Sequence, residues 1–546
     1  THASATDSQR PAVVMGYYLN PELRQRLLEA ESDEEENKDQ DNFLIRFSRN
    51  LVLDAKSPER LQMLRDAEPV IDRIQKQETE KVVRDLSKLG IDWSEGADEG
   101  PSKVRVLAKT SAGDQPARAG DPLSLTVEVT NEGKHTLYQL RATTRSDNGW
   151  FDGRELVFGK LRPGETRSWT TTLGRCVTED EQRACRVPRN MIDRADGIRV
   201  EFEEAHEHVP EPVEVRVLLQ ALPKPRFAYG LQVADNIKGN GDGRVQRGEE
   251  VTLYFTVKNV SDVDSLEVQA NLQNNSGTGV LLHDGRFQRE TLRAGEEWVV
   301  PFSFQVLPAF KDDEAAVSLG ILDSELGASE GQKLKIPISD AESPVRRFAA
   351  AQLVRLQPGA QVRESPDGSA PVIATVQKQT LLSETATSGA FARIDLGGGR
   401  PGWVAIEAAS RAEGKADREP SVEWVTDHAA PEIQIAPLAS YVTRDAVFRV
   451  QGKAIDLQRV RDLYISTSRH KVYYKSNQGS GNPRELAFDT EVPVQPGMNA
   501  IMVVAREDND SVSRYYFMVR RDAPDGSLME TPKFDGALMG NSIGHN

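Results

Sequence analysis

Cysteine is nearly missing from this chain of 546 residues: there are two, Cys176 and Cys185. No apolar run approaches the roughly 18 residues that a membrane-crossing helix needs, so no membrane span is expected. Positive charge is in deficit, with 68 Lys and Arg against 84 Asp and Glu and a formal net charge of −16. A chain of that sign repels phosphate backbones, so nucleic acid is not an expected partner. Aromatic residues are also few, at 6%, which suits several small, well-solvated units better than one large core. At roughly 100–150 residues per unit, the length calls for about four or five domains.

Signatures of chemistry are sparse. No nucleophile with an identifiable base and orienting group emerges, and no H-E-x-x-H, P-loop or dinucleotide fingerprint is present. Carboxylates are abundant, but in an acidic chain abundance defines no pair. No catalytic residue is assigned. His206-Glu207-His208 could chelate a metal if it lay on a strand, yet carboxylates surround it and it reads as solvated surface. Leu396–Arg400, LGGGR, reads as a hairpin turn. Tyr138, Trp150 and Phe151 read as sandwich core rather than as a binding patch.

What is present is a repeat. Gly120–Asn131, GDPLSLTVEVTN, matches Gly248–Asn259, GEEVTLYFTVKN, and each copy is followed by a second shared phrase, LRPGET at Leu161–Thr166 and LRAGEE at Leu292–Glu297. Alternating strands separated by turn signals predict two related β-sandwiches. The expected fold is mainly β: tandem immunoglobulin-like sandwiches plus an SH3-like barrel, preceded by an α-helical segment.

The boundaries follow composition. Residues 1–95 carry helical periodicity, with Ser57-Pro58 as a helix start and Gly90 as a helix stop. Their narrow apolar face suggests the end of a larger domain or a docking segment. The acidic stretch Asp33–Glu36 reads as a solvated connector. Sandwiches are expected over 102–220, 225–340 and 423–522, with the proline-rich hinge Ala221–Pro225 between the first two. A bacterial SH3-like unit is expected over 344–412, and a disordered tail over 523–546. The chain starts at Thr1 rather than Met, as expected of a mature product, a fragment or a trimmed chain.

Three site expectations follow. Cys176 and Cys185 bracket a loop of eight residues that a disulfide could close, which implies an oxidising compartment such as the periplasm. In the turn GNGDG, Asp235, Asn240, Asp242 and Glu249 could offer oxygen ligands to a structural calcium ion. Lys238, however, occupies the position where a calcium loop begins with a carboxylate. The alternative is a plain turn in which Gly241 and Gly243 supply positive φ. Within the SH3-like unit, Arg363, Arg393 and Trp403 are the expected binding residues, and sandwich edges could take an extended peptide.

The order of parts carries a resemblance. LYQLRATTRSDN and ELVFGKLRPGE in the first sandwich, FAYGLQVADN…NGDGRVQRGE in the second, an SH3-like unit and a closing RYYFMVRR resemble the long C-terminal extension of carboxyl-terminal processing (tail-specific) serine peptidases of the myxobacterial type. The resemblance covers roughly residues 40–522. It implies a non-catalytic extension of an exported peptidase that binds protein or peptide partners, the upstream peptidase domain among them, in the periplasm or cell envelope. The family's PDZ domain and Ser/Lys pair have no counterpart here, so no catalytic residue carries over. The competing expectation is a stand-alone cell-surface or adhesion protein built from immunoglobulin-like repeats.

Overall fold

A computed structural model describes residues 73, 76–77, 80–179, 182–438, 440–467 and 470–532. The chain divides into two compact units, Thr1–Asp98 and Glu99–Asn546. In the first, a helix runs over 80–88 and ends as the sequence predicts. Gly90 adopts φ +76°, and the Ile91 N–H reaches back to the Leu86 carbonyl at 3.0 Å. That left-handed stop satisfies carbonyls that the helix end leaves open. The start at Ser57-Pro58 and the acidic stretch lie outside the described residues.

The second unit is built of antiparallel β-sheet in four modules. In the first, a sheet of Val104–Thr110, Leu123–Asn131 and Thr166–Leu173 packs on a five-stranded sheet that includes Leu137–Arg145, Arg194–Glu203 and Val213–Gln220. The second sandwich faces a sheet containing Phe227–Lys238, Glu250–Asn259 and Glu297–Val306 with one containing Ser265–Asn274, Glu314–Asp323 and Ala328–Pro337. Eight strands between Arg346 and Trp424 then form the SH3-like barrel. The last sandwich runs from Glu432 to Arg521.

The repeat corresponds to one structural device used twice. Asn131 and Asn259 end equivalent strands and are both fully buried. Each side-chain amide donates to two carbonyls: Asn131 to Leu161 at 3.0 Å and His135 at 2.8 Å, Asn259 to Leu292 at 3.0 Å and Val263 at 2.8 Å. In the second phrase, Glu165 and Glu296 each accept from a backbone N–H three residues earlier, at 3.0 and 2.9 Å. The shared asparagines therefore satisfy buried carbonyls at the strand ends, and the shared glutamates close exposed turns.

Several boundaries differ from expectation. The segment between the cysteines is a two-stranded hairpin, Arg175–Glu179 with Gln182–Arg186, in which Cys176 and Cys185 face each other and are joined as a disulfide. Val422–Trp424 extends the SH3-like sheet by pairing with Val372–Val376, so that sheet reaches past residue 412. The expected tail is ordered through residue 532: Arg520 donates to the Met529 carbonyl at 2.7 Å, and the Thr531 hydroxyl accepts from the Met498 N–H at 2.8 Å. These part-buried hydrogen bonds offset the ordering entropy of an irregular, proline- and glycine-containing segment. Tyr138 and Phe151 are core residues as expected, whereas Trp150 is 41% exposed.

Reduction of the Cys176–Cys185 bond, or a Cys176→Ser/Cys185→Ser double substitution, is expected to remove about 2–3 kcal/mol of stability, because the closed loop is short. Paired thermal melts with and without reductant measure this. Coincident melts would show that the hairpin lies outside the cooperative unit.

Candidate functional site

The densest polar constellation lies where the second sandwich meets the SH3-like barrel, and the GNGDG turn is at its centre. Glu250–Asn259 is buried on both faces, unlike its repeat partner Leu123–Asn131, which alternates strictly. In the first copy, the outward Thr126 bonds to the exposed Thr170 across the strands. The equivalent outward residues of the second copy, Tyr254 and Thr256, are 6% and 1% exposed. The barrel covers them.

Arg400, at the end of the LGGGR hairpin, provides the contact. Its guanidinium donates to the Gln232 side-chain oxygen at 2.6 Å and to the Thr256 hydroxyl at 3.0 Å. It lies 3.6 Å from the centroid of the Trp424 ring and 5.0 Å from that of Tyr254. Gln232 in turn donates to the Pro401 carbonyl at 2.6 Å. Burial pushes the Arg400 pKa down to about 9, which still leaves a cation at neutral pH. No carboxylate pairs with it among the described residues, so ring faces and neutral oxygens balance the charge.

The turn itself is built around Asp235. Its Oδ2 accepts the N–H groups of Gly241 at 2.8 Å and Asp242 at 2.9 Å, and its Oδ1 accepts that of Gly243 at 3.1 Å. Glu249 accepts from the Asn240 and Gln246 N–H groups at 2.8 and 2.9 Å. Asp242 accepts from the Arg244 N–H at 2.9 Å and the Ser343 N–H at 2.6 Å, and the Asn240 side-chain oxygen accepts the Asp242 N–H at 2.9 Å. The four candidate calcium ligands do converge, but each of their carboxylate oxygens already faces an N–H donor. Burial raises the Asp235 and Glu249 pKa values, against the pull of those donors. Among the described residues, no group of three or more His, Cys, Asp or Glu is arranged to hold a metal ion.

The expected binding residues of the barrel are engaged within the chain. Trp403 is 1% exposed. Arg393 is buried and donates to the Gly241 carbonyl at 2.9 Å. A Cβ on Gly241, where φ is +77°, would lie 2.3 Å from that guanidinium, so the close approach requires glycine. Arg363 donates to the Ala370 carbonyl at 2.6 Å and the Gln361 side chain at 3.0 Å. Arg393 therefore meets the second sandwich rather than solvent, at the GNGDG turn, and Trp403 is buried with the Arg393 guanidinium 5.9 Å from its ring centroid.

The outer edge of Phe227–Lys238 is also occupied. Tyr229 pairs with His428 in an isolated bridge with the rings stacked at 5.5 Å, and the Val233 N–H donates to Glu364 at 2.6 Å. A cleft of about 350 Å³ remains beside this edge, lined by Val233, Asp235, Arg244, Ile336 and Glu364 among others. His206–His208 lies in a turn rather than on a strand: Glu207 has φ +65°, and Glu204 accepts the N–H groups of both histidines at 2.7 and 3.3 Å.

Two serine motifs escape a reading by composition. Gly327–Gly331, GASEG, matches G-x-S-x-G, but Ser329 pairs with Leu322 in an antiparallel strand and not at a strand-to-helix elbow. Ser468–Lys471 matches S-x-x-K, but Ser468 lies outside the described residues.

Near the Tyr229 edge, burial raises the Glu330 pKa to about 8, with Arg226 opposing the shift. Between the ordinary carboxyl range and that value, the folded chain holds a proton that the unfolded chain has released. Stability attributable to this group is thus present at low pH and is lost as pH rises towards 8. Glu330→Gln is expected to raise the melting temperature more at pH 8 than at pH 5. An equal shift at both would show that Glu330 ionises normally.

The fold and this junction define a multi-domain β-sandwich protein whose modules are fastened by buried polar contacts. No family model matches the chain, and no curated protein matches it. Among solved structures, it is similar to a Ca2+-stabilized adhesin that helps an Antarctic bacterium reach out and bind ice, at 11% identity and TM-score 0.18 over 77% of this chain and 99% of that one. It is also similar to a red sea bream transglutaminase, at 13% identity and TM-score 0.16 over 44% of this chain. The match spans 32%, about a third, of the transglutaminase.

Proposed function

We propose that this chain is a non-catalytic extension of an exported serine peptidase, whose second unit, Glu99–Asn546, acts as a rigid body that spaces and presents the enzyme or its substrates. The observation that supports a rigid body is the closure of the first module onto the last. Arg216 pairs with Asp522 at 2.7 Å, Arg520 pairs with Asp147 at 3.0 Å, and the Met518 N–H donates to the Asp193 carbonyl at 3.1 Å. Residues more than 300 positions apart are thus fastened, where a string of independent repeats would leave them free. The disulfide is in keeping with a periplasmic or cell-envelope location.

The peptidase connection rests on the sequence resemblance. Mass spectrometry of the native polypeptide tests it: a chain that extends upstream into a peptidase domain supports the reading. A native chain without that domain would leave a stand-alone surface protein of immunoglobulin-like repeats. Spin labels placed on the first and last sandwiches test the rigid body separately. A narrow inter-label distance unchanged by salt is expected, and a broad, salt-sensitive one would overturn it.

A further inference from the structure

The last sandwich carries an outer face that the first module covers only in part, at its Arg520 end. Its five-stranded sheet places Lys471–Ser476, Asp462–Thr467, Gly497–Arg506 and Val512–Arg521 side by side. Side chains alternate across a sheet, and Ile501, Val503 and Ala505 point into the core. Residues 500, 502, 504 and 506 therefore point outward. Cross-strand register then sets out the outer surface in rows. One row runs Tyr474, Tyr464, Val504, Arg514; the next runs Lys471, Ser466, Met502, Tyr516.

This surface is aromatic and cationic in a chain of net charge −16. Tyr474 is 54% exposed and Tyr516 45% exposed, the latter two residues before Met518, whose N–H bonds to the first module. Val504 is fully buried despite facing outward, so the surrounding side chains close over it into a continuous platform. The Lys471 ammonium lies 4.1 Å from the centroid of the Tyr464 ring and 5.8 Å from that of Tyr474. Arg506 is held beside the same ring at 5.6 Å by its two bonds to Asp462, at 2.7 and 2.9 Å. Neither Lys471 nor Arg514 pairs with a carboxylate among the described residues.

We infer that this face binds an anionic glycan. The exposed Tyr474 and Tyr516 rings offer apolar surface to the C–H face of a sugar, with hydroxyls at the ring edge for hydrogen bonds. The exposed rings, Tyr474 and Tyr516, sit on strands three positions apart, roughly 14 Å at the usual strand spacing, a separation that suits two sugars spaced along one chain rather than adjacent ones. Lys471 and Arg514 flank the rings, where they can pair with uronate or sulfate groups. The cations on the face are too few for the six to ten phosphate contacts or so that hold a duplex, and the overall charge repels a polyphosphate. A glycan of lower charge density fits better. The inference does not depend on the peptidase connection.

The test is isothermal titration of the full chain with polygalacturonate oligosaccharides, with uncharged dextran oligosaccharides as control. Binding to the uronate series that weakens with added salt is expected, with none to dextran. Tyr474→Ala and Tyr516→Ala are each expected to weaken it about tenfold, by loss of stacking. Lys471→Ala/Arg514→Ala should weaken it and flatten its salt dependence. These side chains are exposed or partly exposed, so circular dichroism melts should show the variants folded. Absence of uronate binding, binding indifferent to these substitutions, or stronger binding of single-stranded DNA through the same residues would each overturn the inference.

Discussion

Arg400→Ala is expected to destabilise the chain by about 3–5 kcal/mol, the usual cost of removing one side of a buried charged contact. Gln232 and Thr256 would lose their donor, and Trp424 and Tyr254 would lose the planar group beside them. Buried acceptors without donors cost about 1–3 kcal/mol each. Arg400→Lys keeps the charge but not the planar fork, so it should recover only part of the loss. Calorimetry is the readout. The wild-type chain should melt with the second sandwich and barrel coupled, whereas the alanine variant should show them separating. A shift below about 1 kcal/mol would mean that apolar contact alone holds the junction.

Asp235→Ala should cost a comparable amount, about 3–5 kcal/mol, by a different route. Three backbone N–H groups, those of Gly241, Asp242 and Gly243, converge on this one carboxylate. A side-chain methyl would leave the Gly241 and Gly243 N–H groups unsatisfied beneath the barrel, while the Asp242 N–H would keep only the Asn240 side-chain oxygen. Asp235→Asn retains an acceptor oxygen and should fall between wild type and alanine. The same series addresses calcium. With the carboxylate oxygens occupied by N–H donors, excess EDTA is expected to leave the melting temperature unchanged. A calcium-dependent rise abolished by Asp235→Asn would instead establish a metal site there.

The two positions differ in how far sequence could reach them. Asp235 was legible as a site residue from its place ahead of a glycine-rich turn, although the pattern left open whether the oxygens serve a cation or the backbone. Arg400 was not legible: LGGGR reads as a hairpin turn, which it is, and nothing local says that its final side chain crosses to another module. The available signal was indirect. At the outward positions where the first repeat has Thr126 and Glu128, the second has Tyr254 and Thr256. An aromatic residue at an outward position is a reason to expect a cover. Arg393 was legible as a residue of a face, but its partner Gly241 lies 152 positions away.

The sequence by itself determined the modules. Period-two alternation, the paired Asn131 and Asn259 brackets and the glycine turns are local, and they specify each sandwich through backbone hydrogen bonds and burial of one strand face. Only the tertiary structure decided which outward faces stay outward. Glu250–Asn259 is covered and the face bearing Tyr474 and Tyr516 is open, although both are strands of ordinary composition. Burial of a second face depends on shape and on single long-range contacts such as Arg400 with Thr256 or Arg216 with Asp522. Such contacts have no periodicity, and so they leave no local pattern in the chain.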